Sequence, residues 1–311
     1  MLNIRRVLAF ASGALALSLG SAAHAGLTIN PTWDASITSD PNAAIIMGTI
    51  NSAIAFYSQT FTDNITVEIT FQKMNSGLGQ STTGIFRPSY VAYRSALVAD
   101  ASTANDFIAL AHLPNQVNDP VTNAHANMIL ARANARALGG TTTPGTDGTV
   151  YVNTSICNLD RSSIDPNKYD LYAVTCHEID EVLGMGSWID GQIIGDAAVR
   201  AMDLFRYDAN GNRSFTNNTS SHAFFSLDGT TDIVEFNQSA VGDWGDWIHH
   251  STPQVQDFSG TKGVPYDMGP SEIAALDAIG YNAVPEPATY ACFGMGVLSL
   301  WRISRRRTRR A

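Results

Sequence analysis

The chain has 311 residues, of which 44% are hydrophobic, and this is enough to bury a sizeable core. Its formal net charge at pH 7 is −9, and the two ends hold eight of the 19 basic residues but only one of the 28 acidic residues. Residues 26–283 therefore hold 11 basic and 27 acidic side chains, which is a net charge of −16. Such a surface excludes nucleic acid as a partner, because binding to phosphates needs a basic face.

The N-terminus has the pattern of a secretory signal peptide. Arg5 and Arg6 precede the apolar run VLAFASGALALSLG, and the following SAAHAG supplies a small-residue cleavage site after Ala25. The apolar run is too short to act as a membrane anchor. We therefore predict a signal peptide over residues 1–25 and export of the protein from the cytoplasm.

The region between the two ends predicts an α/β (α+β) fold in one domain, residues 26–283. Helical spacing of apolar residues predicts helices, and alternation of β-branched residues predicts strands. The predicted helices are 43–61, 88–101, 121–140, 171–183 and 269–281, and the predicted strands are 65–74 and 149–159. Asp-Ala-Asn-Gly at 208–211 predicts a hairpin-type turn. We expect the helix 171–183 to be central and to face a cleft between two lobes.

The helix 171–183 overlaps the sequence TCHEIDEVLGMGS (175–187), a variant of the zinc motif H-E-x-x-H. His177 and Glu181 are four residues apart and lie about 40° apart on a helical wheel, so both can contact one ion. Glu178 lies about 100° from His177 and can face the same cleft. The opposite side of the helix is apolar, and we expect Asp180 to be a solvated charge.

This arrangement predicts one bound zinc ion. Zinc accepts a carboxylate oxygen as well as an imidazole nitrogen, so Glu181 can replace the usual second histidine. Bound zinc lowers the pKa of a water molecule to about 7, and Glu178 occupies the position of the general base. The alternative is that H-E-x-x-E is an ordinary run of charges on a helix surface, without a metal.

A catalytic zinc ion needs a third protein ligand from outside the helix. Our first choice is Asp203, which follows the helix after a short loop. His222 is the second choice, and the adjacent His249 and His250 are the third. Each has an ordinary structural alternative, namely the cap of a turn for Asp203 and half-buried or loop histidines for the others.

Two cysteines, Cys157 and Cys176, lie in the part of the chain that remains after export. Since exported proteins meet an oxidising compartment, a disulfide between them is one possibility. Two buried free thiols are the other, because spacing alone does not establish the geometry of a bridge.

The C-terminus combines Val284-Pro285-Glu286-Pro287 with an apolar segment, 288–303, and a cluster of arginines. The segment is slightly shorter than a membrane-spanning helix requires, and the basic end would hold it with its C-terminus on the cytoplasmic side. An ordinary tail anchor has these features too. Residues 284–311 nevertheless resemble the PEP-CTERM sorting signal of Gram-negative bacteria. The resemblance implies transient insertion in the inner membrane, recognition by an exosortase, removal of the tail, and a final location at the cell surface or outside the cell.

The sequence YDLYAVTCHEIDEVLGMGS resembles the metzincin zinc-protease helix, H-E-x-x-H-x-x-G-x-x-H, at His177, Glu178 and Gly184. It departs from that pattern at Glu181 and Ser187, where the family has its second and third histidines, and Met268 lies where a Met-turn is expected. The segment 149–281 is also similar to a group of exported metalloproteases that carry the PEP-CTERM signal. The resemblance implies a metzincin-like, zinc-dependent peptidase that cleaves peptides or proteins. The alternative is a catalytically inactive binding protein of the extracellular matrix or cell surface on a protease-like fold.

Overall fold

A mixed sheet and the helix that carries the motif form the centre of the structure. The computed structural model describes residues 26–191 and 195–284, so the predicted signal peptide and nearly all of the C-terminal signal lie outside the described residues. The strands are β1 (Thr28–Trp33), β2 (Thr66–Lys73), β3 (Gly79–Thr83), β4 (Ile85–Phe86), β5 (Asn127–Ala131), β6 (Gly148–Val152), β7 (Cys157–Asn158), β8 (Tyr169–Asp170), β9 (Ala197–Arg200), β10 (Arg206–Tyr207), β11 (Phe224–Phe225) and β12 (Val234–Glu235). The helices are α1 (Ala35–Thr38), α2 (Ala43–Thr60), α3 (Tyr90–Asp100), α4 (Ala104–His112), α5 (Arg132–Ala137), α6 (Leu171–Leu183) and α7 (Pro270–Ala278).

The main sheet has four strands in the order β1-β2-β6-β3. The first three are parallel, and β3 is antiparallel to β6 at the edge of the sheet. Parallel neighbours need a crossover connection, which α2 supplies between β1 and β2. The buried residues of β2 alternate with less buried ones, as expected for a strand with one face on the core. The predicted helix 43–61, the predicted strand 65–74 and the mixed α/β class are thus confirmed.

Helix α6 packs against α2 and against strands β3 and β6. It begins at Asp170, whose side chain accepts a hydrogen bond from the backbone N–H of Tyr172, and it ends at Gly184. Gly184 has a φ of 130°, a conformation that side chains disfavour, and a Cβ there would lie 3.2 Å from Ile279 Cδ1. The glycine therefore ends the helix where the chain must turn beside the core.

Asp180 is not solvated, and that prediction was wrong. The residue is fully buried, and its Oδ1 accepts a hydrogen bond of 2.7 Å from the Tyr57 hydroxyl on α2. Burial raises the pKa of Asp180 well above its usual range. The helical wheel did not predict this contact because α6 is covered on two sides, by α2 as well as by the sheet.

The predicted helix 121–140 was also wrong for its first half. Residues 127–131 form β5, which pairs with β4 on one side and β9 on the other, and only 132–137 are helical. Four consecutive residues of β5, Met128 to Ala131, are buried. A strand that is covered on both faces reads as a continuous apolar run, which periodicity cannot distinguish from a buried helix.

The chain after α6 forms short strands and loops around an aromatic cluster. The Trp247 ring lies 5.8 Å from Phe225 and 5.0 Å from Phe236, measured between ring centroids, and Trp247 is fully buried. The predicted turn at 208–211 is confirmed, since Tyr207 pairs with Arg213 across it. Within the described ranges, no helix combines the length and the hydropathy that crossing a bilayer requires.

We predict that Gly184→Ala lowers the free energy of unfolding by about 1–3 kcal/mol, because alanine would have to adopt a disfavoured backbone conformation. The matched control is Gly48→Ala on α2, where a Cβ would meet nothing within 4 Å. That variant should gain about 0.5–1 kcal/mol, since alanine suits a helix interior better than glycine. Urea denaturation measures the free energy of unfolding of both variants. Equal changes of the same sign would contradict the role assigned to Gly184.

Candidate metal centre

Three side chains from two parts of the chain meet beside α6. They are His177, Glu181 and Asp246, and one ligand atom of each lies within 4.8 Å of the other two. His177 Nε2 is 3.8 Å from Glu181 Oε1 and 3.7 Å from Asp246 Oδ1. Ligand atoms around a tetrahedral zinc ion with bonds of about 2.1 Å lie roughly 3.4 Å apart. The two separations that involve His177 are therefore close to those that a zinc ion needs.

The ring of His177 is oriented by a backbone group. Its Nδ1 lies 2.9 Å from the carbonyl oxygen of Val255, and a carbonyl can only accept, so Nδ1 carries a proton and donates it. In the neutral imidazole, Nε2 then faces Glu181 and Asp246 with a lone pair that a metal ion can take up. Metal-binding histidines are commonly held in this way by a hydrogen bond of the second ring nitrogen.

The surroundings of His177 favour positive charge. Burial disfavours the imidazolium ion, but the carboxylates of Asp246, Glu178 and Glu181 outweigh it and raise the pKa of His177 to about 10. Burial also raises the pKa of Asp246, to about 8, with a further contribution from Glu181. The negative charge of these carboxylates is thus not balanced by nearby cationic side chains. A divalent cation between them would balance it.

Asp246 is held by a second layer of hydrogen bonds. Gln256 Nε2 donates to Asp246 Oδ1 over 2.8 Å. The backbone N–H of Gln256 donates in turn to Glu272 Oε1 over 3.2 Å, and Trp247 Nε1 donates to the same oxygen. Asp246, Gln256, Glu272 and Trp247 are all buried. The position of Asp246 therefore depends on Gln256 and on the first turn of α7.

Glu178 lies one residue after His177 and lines the same cleft. Its Oε2 is buried and has no hydrogen-bond partner in the described chain. Its Oε1 packs so closely on Gly79 of β3 that any Cβ at position 79 would overlap the carboxylate. Glu178 is thus set beside the three candidate ligands with one oxygen free to accept a proton.

The cleft has a volume of about 620 Å³. One wall consists of Leu78 to Ser81, from the turn into β3 and the first half of that strand, together with α6, and the other consists of the segment 240–260. On the far side from β6, strand β3 has no strand partner among the described residues. An edge strand beside a cleft offers unpaired backbone groups to an extended peptide.

Asp203, the first choice for the third ligand, does not join His177 and Glu181, so Asp246 replaces it in the candidate set. The Asp203 carboxylate is buried and accepts hydrogen bonds from Ser187 Oγ, at 2.5 Å, and from the backbone N–H groups of Trp188 and Arg200. It thereby fixes the loop that follows α6. Its acceptors are occupied by donors from that loop, which explains why it does not face the cleft.

The three histidines proposed as alternatives also lie outside the group. His222 is exposed and its Nδ1 hydrogen-bonds to Glu235, over 2.5 Å. His249 contacts Ser259, and His250 donates to Asp257 over 2.6 Å. His249 and His250 lie in the same segment as Asp246, the candidate ligand next to the buried Trp247. No signal in the sequence distinguishes Asp246 from the other acidic residues of this segment.

Cys157 and Cys176 are free and buried, so the disulfide is not formed in this structure. Cys157 pairs with Tyr169 at the entrance to α6, whereas Cys176 lies deeper in the helix, beside Tyr57. Burial raises the pKa of both thiols, which keeps them protonated and unreactive.

Comparison with known proteins gives one match, at the C-terminus. Residues 283–307 match the PEP-CTERM protein-sorting motif, which confirms the prediction for this end of the chain. The protein is therefore exported to the cell surface and is recognised by exosortase-type sorting machinery. No curated protein and no solved structure matches the chain.

Gln256→Ala should weaken zinc binding by about 10–100-fold, because Asp246 loses the donor that orients it. Isothermal titration calorimetry with zinc measures the affinity, and the melting temperature shows whether the variant is folded. Gln254→Ala is the matched control, since Gln254 contacts Asp257 through its backbone N–H, which alanine retains. Equal zinc affinities for the two variants would contradict the role of Gln256.

Proposed function

We propose that the protein is an exported zinc-dependent peptidase of the metzincin-like type. The observation that carries the proposal is the convergence of His177, Glu181 and Asp246 beside Glu178, in a cleft bordered by the edge strand β3. His177, Glu181 and Asp246 would hold the ion. Two carboxylates would balance the charge of Zn²⁺, and one imidazole and two carboxylate oxygens are ligands that zinc accepts.

The structure around α6 is consistent with the resemblance in the sequence. Met268, at the position where a Met-turn is expected, is buried beneath α6, and its Sδ lies 3.7 Å from the Tyr57 hydroxyl. The same hydroxyl donates to Asp180 and to the carbonyl oxygen of Cys176, both on α6. Met268 thus belongs to the support of the helix that carries two of the three candidate ligands.

The side chains divide the chemistry of peptide hydrolysis between them. Held by His177, Glu181 and Asp246, zinc would supply Lewis-acid chemistry for activating water and polarising the substrate carbonyl. Glu178 takes the proton of the attacking water on its unpartnered Oε2 and delivers it to the leaving amine. The free edge of β3 orients the substrate as an additional strand, with its scissile bond near His177.

The described residues offer three candidate ligands, and this number supports a catalytic site. A purely structural zinc site has four protein ligands and no open position, whereas a catalytic site has three. The inactive binding protein would lack a third ligand, for which Asp246 is the candidate. Glu181 and Ser187 stand where the family has histidines, and this departure favours the inactive binding protein. Metal content and peptidase activity are therefore measured separately.

We predict one zinc ion per chain in the purified protein, and its loss in Asp246→Asn. Asp203→Asn is the matched control, because the substitution is the same but the carboxylate is committed to the loop after α6. It should keep the zinc and lose stability. Elemental analysis after dialysis measures the metal. Zinc retained by Asp246→Asn and lost from Asp203→Asn would restore Asp203 as the ligand.

Glu178→Gln should retain zinc but lower peptide cleavage by about 100–10,000-fold, because the amide cannot accept the proton. Gly79→Ala should also retain zinc and lower cleavage, since the methyl group displaces the Glu178 carboxylate without contacting a ligand. Fluorogenic peptides and casein are suitable substrates, with the chelated protein as the blank. A zinc-loaded protein that cleaves no peptide would favour the inactive binding protein.

A further inference from the structure

A second cavity of about 350 Å³ adjoins the cleft on the far side of Glu181. The two cavities share Ser81, Glu181 and Asp243, so a ligand can extend from one into the other. The second cavity is bordered by the loop that follows α6 and by the segment 243–245. Glu181 is the one candidate metal ligand that lines this cavity, and the proposed general base, Glu178, does not line it.

Arg200, at the end of β9, is the one arginine or lysine among the residues that line the two cavities. Its guanidinium group lies over the ring of Trp188, 5.2 Å from the centroid. A Cβ at position 186 would lie 2.5 Å from Arg200 Nη1, so Gly186 allows the guanidinium to approach the backbone. The side chain is therefore held in the cavity wall by packing on two sides.

The guanidinium of Arg200 donates no hydrogen bond to any residue of the described ranges, and its Nε is buried. A guanidinium carries five N–H donors, and buried ones are normally satisfied. Arg206, which is completely buried nearby, donates to the carbonyl oxygens of Trp244 and Asn237 and to the side chain of Gln238. Arg200 differs because its side chain lines a cavity and makes no hydrogen bonds of this kind within the described ranges.

An acidic group fits these donors best. A guanidinium binds a carboxylate through two parallel hydrogen bonds, and the pairing is strong where water is excluded. Burial lowers the pKa of Arg200, and its neighbours Asp203, Glu181 and Asp243 oppose this shift without contacting the group. A carboxylate that enters the cavity would make the direct contacts that these residues do not make.

We propose that this cavity is a subsite for an acidic side chain of the peptide substrate, and that Arg200 determines this specificity. The inference rests on the proposed peptidase function, because it assigns the class of substrate that the same cleft accepts. A glutamate or aspartate near the scissile bond would place its carboxylate against Arg200 while the peptide backbone follows β3.

Cleavage of a peptide library by the zinc-loaded protein tests the specificity. The expected result is a preference for glutamate or aspartate at one position next to the cleaved bond. For a matched pair of peptides with glutamate or glutamine there, the ratio of kcat/KM values should fall about 10–100-fold in Arg200→Gln. The control is Arg87→Gln, an exposed arginine outside both cavities, which should keep the ratio. Cleavage without an acidic preference, or a preference that Arg200→Gln retains, would overturn the proposal.

A binding measurement separates this proposal from the proposed peptidase function. N-acetylglutamate amide, added to the zinc-loaded protein, should shift the NMR resonances of the Arg200 Nε–H and of the Trp188 indole, and N-acetylglutamine amide should not. If no peptide is cleaved but these shifts occur and disappear in Arg200→Gln, the peptidase function fails and the acidic subsite stands. Equal or absent shifts with the two amides would overturn the subsite.

Discussion

The shortage of positive charge around α6 is the constraint on which the site depends. Glu178, Asp180 and Glu181 lie on one buried helix, and Asp246 is brought next to them. Removing a carboxylate from water costs free energy unless hydrogen bonds or a cation compensate for it. Tyr57 compensates Asp180 and Ser81 donates to Glu181 over 2.6 Å, but these bonds leave Glu178 and most of the charge uncompensated. A proton on His177 or a divalent cation between the ligands relieves the same imbalance.

The candidate ligands come from elements that are stable for different reasons. Helix α6 is fixed by its own cap at Asp170 and by packing on the sheet. Asp246 lies in a loop, and it is positioned by the buried Trp247 on one side and by Gln256 on the other. Glu272 connects both, because its Oε1 accepts from Trp247 and Gln256 while its Oε2 accepts from the backbone N–H of Gly269 at the start of α7. The N-terminal cap of α7 thus helps to set the geometry of a site that is built largely by α6.

The local parts of this arrangement were predictable from the sequence, and the nonlocal parts were not. His177, Glu178 and Glu181 could be placed on one face of a helix because helical geometry relates residues four apart. Asp246 could not be selected over Asp203, since the choice depends on which carboxylate the folded loops leave without donors. The strand β5 and the burial of Asp180 were missed for a related reason. Residues distant in the chain cover both faces of β5, which local periodicity assigns to a helix. Residues distant in the chain also cover Asp180, which local periodicity assigns to solvent.

The last described residues, 283 and 284, and the candidate site lie at opposite edges of the main sheet. The motif begins at residue 283, where Ala283 pairs with Phe61 and the backbone N–H of Val284 donates to Thr60, at the end of α2. The backbone N–H of Leu27 also donates to Phe61, immediately before β1. Since β1 is one edge strand of the main sheet and β3 is the other, residues 283 and 284 lie near the edge opposite the candidate site.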